Sequence, residues 1–353
     1  MTSEHEMLRF AVVGAGMIGE LHGKIISEIE GVELGYICSR SMERAESLAS
    51  KYGGQPTTEY DDLLRRDDLH ALSICTPSGT HADYGISAVR AGKHVLVEKP
   101  IDISLAKADA LIQACREADV TLGVIFQLRF LDASLEVKRA LERGILGEPV
   151  MADCYMKFYR PQSYYNGSGW KGTLALDGGG ALINQGIHGV DLLLHLAGDV
   201  ASVQAYSGIL AHEHIEVEDT CVAGLKYRSG ALGVIQATTS VHPDFQQRIE
   251  IHGTNGTIIL EGTEDTWIKH WETFDGGRRE VETVTVDHAG AEAVLEVGGE
   301  GHRRQIEDFV TAIRTGREPL VSGTEGRRSL ALVQAVYESA RLGREVRVSS
   351  GET

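Results

Sequence analysis

The pattern of apolar and polar positions changes rhythm partway along the chain. Between Leu8 and about Leu128, short apolar runs of strand length alternate with stretches of helical spacing. The runs are Phe10–Val13, Val32–Cys38, Ala71–Cys75, His94–Val97 and Thr121–Phe126. Helices are predicted after Val13, where Leu21, Ile25 and Ile29 recur at helical spacing, and from about Ser41 to Tyr52, Tyr60 to Arg65, Thr80 to Ala91 and Ser104 to Ala118. Near-continuous apolar strands separated by helices imply a parallel, doubly wound α/β sheet covered on both faces. After Gly147-Glu148-Pro149 the strands follow one another directly: Val150–Phe158, Val200–Ile209, Val217–Tyr227, Ala231–Ser240, Gln246–Gly253 and Thr257–Glu261. Ser229-Gly230 and Asn255-Gly256 between them favour hairpins. This half therefore predicts an α+β domain with a large, mostly antiparallel open sheet. One helix enters it from about Ala181 to Leu196, and two close the chain, about His302–Thr315 and Thr324–Leu342. The glycine- and charge-rich Gly276–Gly301 stretch predicts a loop region with one strand, Glu280–Val286. The chain thus divides into 1–128 and 129–353.

Length agrees with two domains, since 353 residues exceed the usual single core. The formal net charge of -17 argues against nucleic acid or an anionic membrane as partner, because nothing would neutralise phosphates in bulk. No apolar run approaches the length of a membrane span, and the start, MTSEHEM, is too polar for a secretory signal. The five cysteines are dispersed, with no Cys-x-x-Cys pair, which predicts reduced core thiols rather than disulfides or zinc ligands. A soluble cytoplasmic protein is expected.

The most informative stretch is Leu8–Gly19, LRFAVVGAGMIG. A strand leads into Gly14-x-Gly16-x-x-Gly19 and a helix follows, which is the dinucleotide fingerprint in its proper context. Gly14 permits the turn, Gly16 lets the backbone approach a pyrophosphate, and Gly19 lets helix and strand pack closely. The helix start offers free N–H groups and the positive dipole end to phosphate. An acid after the second strand would bind the ribose 2′-hydroxyl of NAD; here Ser39 and Arg40 stand there, with Arg44 a turn on. Ser39 can donate to a 2′-phosphate and Arg40 can clamp it, so NADP is favoured over NAD. Alternatively, Arg40 lies flat on the adenine of NAD.

Thr76-Pro77-Ser78 and Glu98-Lys99-Pro100 fall at carboxyl ends of parallel strands, where open α/β sheets place ligands. Together with the glycine fingerprint, CTPSGTHADYG from Cys75 and GGGALINQGIHGVDLLLHL from Gly178, they resemble the Gfo/Idh/MocA oxidoreductases, relatives of glucose–fructose oxidoreductase and inositol dehydrogenase. The resemblance spans essentially the whole chain. It implies hydride transfer between a nicotinamide and a hydroxyl-bearing carbon of a sugar, sugar derivative or cyclitol. It also implies a Rossmann domain followed by a domain for substrate and for assembly into a homodimer or homotetramer. Cofactor contacts would come from Gly14, Gly16, Met17, Ile18, Gly19, Thr76, Pro77, Ser78, His81, Glu98, Lys99, Gln127, Arg129 and Trp170, besides the ribose-reading residues. Lys99 would touch cofactor ribose and reacting oxygen, an ammonium placed to stabilise developing alkoxide. His188 matches the acid/base histidine, with an imidazole suited to proton exchange near neutral pH. Many members carry Asp four residues before it, on the same helical face; this chain has Asn184, which can only position substrate by hydrogen bonds.

From Cys154 to Leu176 there is no acidic residue, while Lys157, Arg160 and Lys171 are interleaved with Tyr155, Phe158, Tyr159, Tyr164, Tyr165 and Trp170. Aromatic faces stack on sugar rings, and the cations suit carboxylate or phosphate. Tyr159, Arg160, Tyr164, Trp170 and Lys171 are therefore expected at the substrate, with Lys99, Asn184 and His188. His188, Asp191 and His195 share a helix face but lack the spacing of a zinc site, so no metal is expected; Asp191 more naturally orients Lys99 or His188. His212-Glu213-His214 reads as a solvated loop. Two rival activities use the same architecture: an NAD-dependent redox-assisted glycosidase and a non-catalytic ligand-sensing regulator. The pair Lys99 and His188 argues against the second.

Overall fold

The structure is a computed structural model and describes residues 7–167, 169–263, 266–274, 276–277 and 299–349. The predicted strand Glu280–Val286 lies outside the described residues. The chain forms two compact units: 7–126 with 299–327, and 127–277 with 328–349.

The first unit is built on a parallel six-stranded sheet of order β3-β2-β1-β4-β5-β6. Its strands are β1 Leu8–Val13, β2 Val32–Cys38, β3 Gln55–Thr57, β4 Ala71–Ile74, β5 His94–Val97 and β6 Leu122–Val124. Phe10, Ala11, Val12, Leu72, Ile74, Val95 and Val97 are all buried, as strands covered on both faces require. Helices α1 Met17–Glu28, α2 Met42–Tyr52, α3 Tyr60–Leu64, α4 His81–Arg90 and α5 Leu105–Ala118 connect them. Ser41 and Ser104 accept the N–H of Arg44 and Lys107 and so start α2 and α5. β3 escaped the sequence reading because it is three residues long and contains Pro56.

The predicted boundary at 128 assigns everything after it to the second domain. The contacts instead return 299–327 to the first unit. A helix from Glu300 to Thr315 presses Phe309 edge-on against Phe10, ring centroids 6.3 Å apart. Its buried Gln305 accepts the Phe126 N–H and donates to the Val124 carbonyl. This helix completes the layer over the end of β6, something amphipathic spacing alone cannot reveal.

The second unit holds an eight-stranded sheet of order β13-β12-β11-β7-β10-β9-β8-β14. It comprises β7 Pro149–Lys157, β8 Val200–Gly208, β9 Thr220–Tyr227, β10 Leu232–Thr238, β11 Arg248–Gly253, β12 Gly256–Glu261, β13 Trp267–Thr273 and β14 Val346–Arg347. Among the described strands of this sheet only β7 and β10 pair in parallel; the other pairings are antiparallel, as expected. The sequence reading did not include β13, β14 or the helices α6 Asp132–Glu142 and α7 Ser163–Asn166. β13 mixes Trp267, Lys269, His270 and Glu272 without clean alternation, and β14 is two residues long. On β9, Cys221, Ala223, Leu225 and Tyr227 point into the core while Val222, Gly224 and Lys226 point outward. The helical stretch from Ala181 also departs from expectation. Residues Ala181–Gly186 form a wide π-type turn, and the α-helix runs only from Ile187 to Ala197. The four-residue step from Asn184 to His188 therefore crosses from one winding into another rather than following a single helical face.

Candidate active site

The nucleotide-binding features are made from main chain. Gly14 has φ +108°, and a Cβ there would stand 2.4 Å from the Cys75 carbonyl oxygen. A Cβ on Gly19 would lie 1.8 Å from the Gly14 carbonyl oxygen, inside any permissible contact. Gly16 is different: a Cβ there meets nothing within 4 Å. It is also the N-cap of α1, and no side chain caps that end. Open space before uncapped N–H groups suits a pyrophosphate, so the residues present fit a dinucleotide. Met17 and Ile18 form the first turn beside this space.

At the end of β2, the Ser39 hydroxyl accepts the Ser41 N–H at 3.2 Å, and Ser41 in turn caps α2. Arg40 and Arg44 are exposed. Thr76, Pro77 and Lys99 are half-buried, and Ser78 is buried. His81, expected at the cofactor, is 1% exposed, its ring spanning the Pro100 carbonyl (2.7 Å from Nδ1) and the Thr76 carbonyl (2.8 Å from Nε2). Burial lowers its pKa. Its part is to tie the ends of β4 and β5 together.

Glu98 is likewise buried. One carboxylate oxygen accepts the Lys99 N–H at 3.1 Å, and the other lies 3.0 Å from Nε2 of His22 on α1. His22 Nδ1 reaches Ser73 Oγ at 2.6 Å, and the His302 ring stands edge-on to His22. Burial opposes charge on His22, but Cys75 and Glu98 outweigh it and push its pKa up to about 10. Burial likewise opposes charge on Glu98, and the His22 contact prevails, holding it at about 2. The pair is an ion pair beneath the backbone of Lys99. Sequence reasoning missed His22; its signal was a histidine on the core face of the fingerprint helix.

In the second unit, Asn184 sits in the wide turn and His188 in the first turn of α8, Ile187–Ala197, both half-buried. The turn is anchored by buried Glu218, which accepts the N–H groups of Gly180 and Leu182 and the Tyr337 hydroxyl. Around Asn184 lies a polar array. Its Oδ1 accepts from the Tyr164 hydroxyl (3.1 Å) and from Gln185 Nε2 (2.7 Å). Arg160 donates to Gln185 Oε1 from Nε at 3.2 Å and from Nη2 at 2.7 Å. The Lys171 ammonium lies 3.7 Å above the Tyr164 ring and Arg160 5.9 Å from it. Burial, then the charge of Asp177, raises the Tyr164 pKa, so the phenol is a neutral donor. Four residues of the predicted wall, Arg160, Tyr164, Lys171 and Asn184, are thus brought together. Tyr159 is 40% exposed and stacks edge-on with His242; Trp170 is half-buried, its carbonyl accepting from Thr173.

Other expectations resolve differently. Arg129 is fully buried and grips Asp191 through Nε and Nη2, both at 2.7 Å, with Ser329 also donating to Asp191. This bidentate pair joins the start of the second unit to α8. Asp191 therefore pairs with Arg129, a partner the sequence does not announce. Gln127 is buried too. His212 is no solvated loop residue: its ring is buried between Asp219 and the Arg160 carbonyl. Among the described residues, the groups of potential metal ligands that converge are His22, Glu98 and His302, and Asp153, Glu250 and His252; neither includes His188. No described helix is long and apolar enough to cross a membrane.

Comparison with known proteins agrees with this two-part construction. Residues 8–126 match the oxidoreductase-family NAD-binding Rossmann fold, and 138–348 match that family's C-terminal alpha/beta domain. The WlbA dehydrogenase from Bordetella pertussis, solved in complex with NADH and UDP-GlcNAcA, is 33% identical. It superposes with a TM-score of 0.86 over 98% of each chain. Myo-inositol 2-dehydrogenase from Thermotoga maritima is 28% identical over 97% of this chain and 98% of its own. The 1,5-anhydro-D-fructose reductase from Ensifer adhaerens is 28% identical over 98% of this chain and 100% of its own. The chain belongs to the Gfo/Idh/MocA oxidoreductase family, with its Rossmann unit first and its open-sheet unit second.

Proposed function

We propose that this oxidoreductase transfers hydride between a nicotinamide cofactor and a hydroxyl-bearing carbon of an anionic sugar, with Lys99 and His188 as its catalytic residues. The array around Asn184 carries the reading: neutral hydrogen-bonding groups suited to hydroxyls stand beside two cations, Arg160 and Lys171, suited to a carboxylate or phosphate. The UDP-GlcNAcA bound to the Bordetella pertussis relative supports a nucleotide-linked sugar acid as the class. Bound at the N-terminus of α1, NAD(P) would supply the hydride acceptor or donor. Lys99 stabilises negative charge on the reacting oxygen, and His188 exchanges its proton. Tyr159, Tyr164 and Trp170 shape the wall against the sugar ring. Ser39, Arg40 and Arg44 favour NADP, since Ser39 stands where an acid would select the ribose 2′-hydroxyl of NAD.

The first unit serves the cofactor, and the second serves substrate and assembly. The open sheet face exposes Met151, Val222 and Leu232, which supports a homodimer or homotetramer formed through it. All five cysteines are free thiols, in keeping with a reducing cytoplasm. The test is reduced-cofactor absorbance with UDP-GlcNAcA, myo-inositol and 1,5-anhydro-D-fructose, each with NAD(H) and NADP(H). Turnover should be fastest with UDP-GlcNAcA. Absence of any sugar- or cyclitol-dependent signal rejects the reading.

A further inference from the structure

Asp177 is the first acid after the acid-free stretch 154–176, and it is 1% exposed. Its Oδ2 accepts the Gly172 N–H at 2.8 Å, and its Oδ1 accepts Nδ2 of Asn184 at 2.5 Å. A carboxylate only accepts hydrogen bonds, whereas an amide can present either end. Asp177 therefore forces Nδ2 of Asn184 inward and Oδ1 outward. Oδ1 then takes the Tyr164 hydroxyl and Nε2 of Gln185. With Nε2 so committed, and also donating to the Tyr164 oxygen at 2.9 Å, Gln185 must offer Oε1 to Arg160. The buried charge thus sets the direction of the Asn184 bonds, and the donor-only guanidinium of Arg160 at the far end fits the same direction along Asp177, Asn184, Gln185 and Arg160.

We infer that Asp177 is the positioning residue of this array, fixing the Asn184 amide and, through it, the phenol and guanidinium that face the substrate. The inference rests on the substrate reading given above for its kinetic consequence, though not for its geometry. It also explains how the site works without an acid at position 184: the carboxylate stands one hydrogen bond deeper. An acid at 184 alone would set two carboxylates against each other, and the pair would retain a proton. The titratable and charged groups around the pair are Tyr164 and Tyr165, Arg160 following β7, Lys171, Glu218 before β9 and His188 on α8.

Three variants test this: Asp177→Asn, Asn184→Asp, and the swap carrying both. The swap keeps one acid and one amide in contact and reverses only the bond between them, so that Gly172 still donates to residue 177 and Tyr164 and Gln185 still donate to residue 184. Infrared spectroscopy at about pH 7 should show a protonated carboxyl in Asn184→Asp that is absent from wild type and swap. Asp177→Asn should lower kcat/KM for UDP-GlcNAcA about tenfold or more, as loss of a charged hydrogen-bond partner does, with NADH binding unchanged. The swap should recover most of that loss. The proposal is overturned by the absence of a protonated carboxyl in Asn184→Asp, or by Asp177→Asn staying within about twofold of wild type. Failure of wild type to turn over any sugar would sink the substrate reading, and the infrared result would still decide whether Asp177 holds residue 184.

Discussion

The two units build their binding surfaces from different material. The first uses main chain: a positive-φ glycine, two positions where a Cβ matters, and an uncapped helix end. The second uses side chains converging from distant segments, with Arg160, Tyr164, Asp177 and Asn184 linked by hydrogen bonds and Glu218 and Tyr337 holding the turn beneath. A phosphate-binding helix start is the same problem in any protein, so its solution is short and local. A wall that must match one substrate is free to draw its parts from anywhere, and its polarity depends on a buried charge. The first kind of site should therefore fail through the backbone and the second through chemistry.

Gly19→Ala is the most severe test of that division. A Cβ only 1.8 Å from the Gly14 carbonyl oxygen cannot be relieved by a flexible side chain. The cost should exceed about 4 kcal/mol, the range of disrupted backbone or core. Thermal denaturation should show no cooperative native transition near that of wild type; an unchanged melting temperature would remove the backbone argument. Lys99→Ala should do the opposite, leaving folding intact while turnover falls about a hundredfold or more, as loss of a charge-stabilising group does. Turnover within a fewfold of wild type on the true substrate would make Lys99 structural.

His22→Gln falls between, since it breaks a side-chain pair inside the backbone-built unit. Leaving Glu98 buried without its cation should cost about 3 kcal/mol. The His22 pKa is raised in the folded state from 6.5 to about 10. Its charge therefore contributes stability fully below about 6.5, and that contribution is lost as pH rises towards 10. The stability gap between wild type and variant should narrow across that window. A gap constant with pH would mean that the ring acts by packing alone.

The same division explains what the sequence made legible. Gly14, Gly16 and Gly19 announce their role within six residues, and the alternation of strand and helix fixes the sheet around them. The partners taken by the ring of His81 and the fork of Arg129 were not legible, because a motif position says where a residue is, not which way its polar atoms are drawn. Asp177 was passed over although it ends a conspicuous acid-free stretch, because its partner Asn184 is identified only by the fold of the turn. The return of 299–327 to the first unit depends on Phe309 and Gln305 finding β1 and the end of β6, contacts nearly two hundred residues away or more. Short β3 and β14 carry too few residues to show a period.

Gly16→Ala sharpens the comparison within the fingerprint. Gly16 has φ -92° and ψ -173°, ordinary extended backbone, and open space where a Cβ would stand. Folding should be unaffected, and the added methyl should occupy the approach of the pyrophosphate. NADH affinity, read by fluorescence titration, should fall about tenfold, the worth of one displaced charged hydrogen bond. Equal loss of stability in Gly16→Ala and Gly19→Ala would mean that both glycines serve packing only.

The smallest expected effect is at Ser39, where the first unit is expected to read its ligand through a side chain. The Ser39 hydroxyl accepts the Ser41 N–H, and Ser41 caps α2 by accepting from Arg44. An aspartate at 39 can accept the same N–H, so Ser39→Asp should leave the melting temperature unchanged. It adds a negative charge where a 2′-phosphate would bind, while Arg40 and Arg44 remain exposed nearby. Repulsion at a solvent-exposed distance is worth about 1 kcal/mol, so the NADP-to-NAD ratio of dissociation constants should rise about fivefold. Added salt should shrink the change, since exposed charges are screened over about 10 Å at 0.1 M ionic strength. Isothermal titration of both cofactors into wild type and variant measures it directly. An identical ratio in the two proteins would show that residue 39 does not read the phosphate and that Arg40 serves the adenine face of either nucleotide.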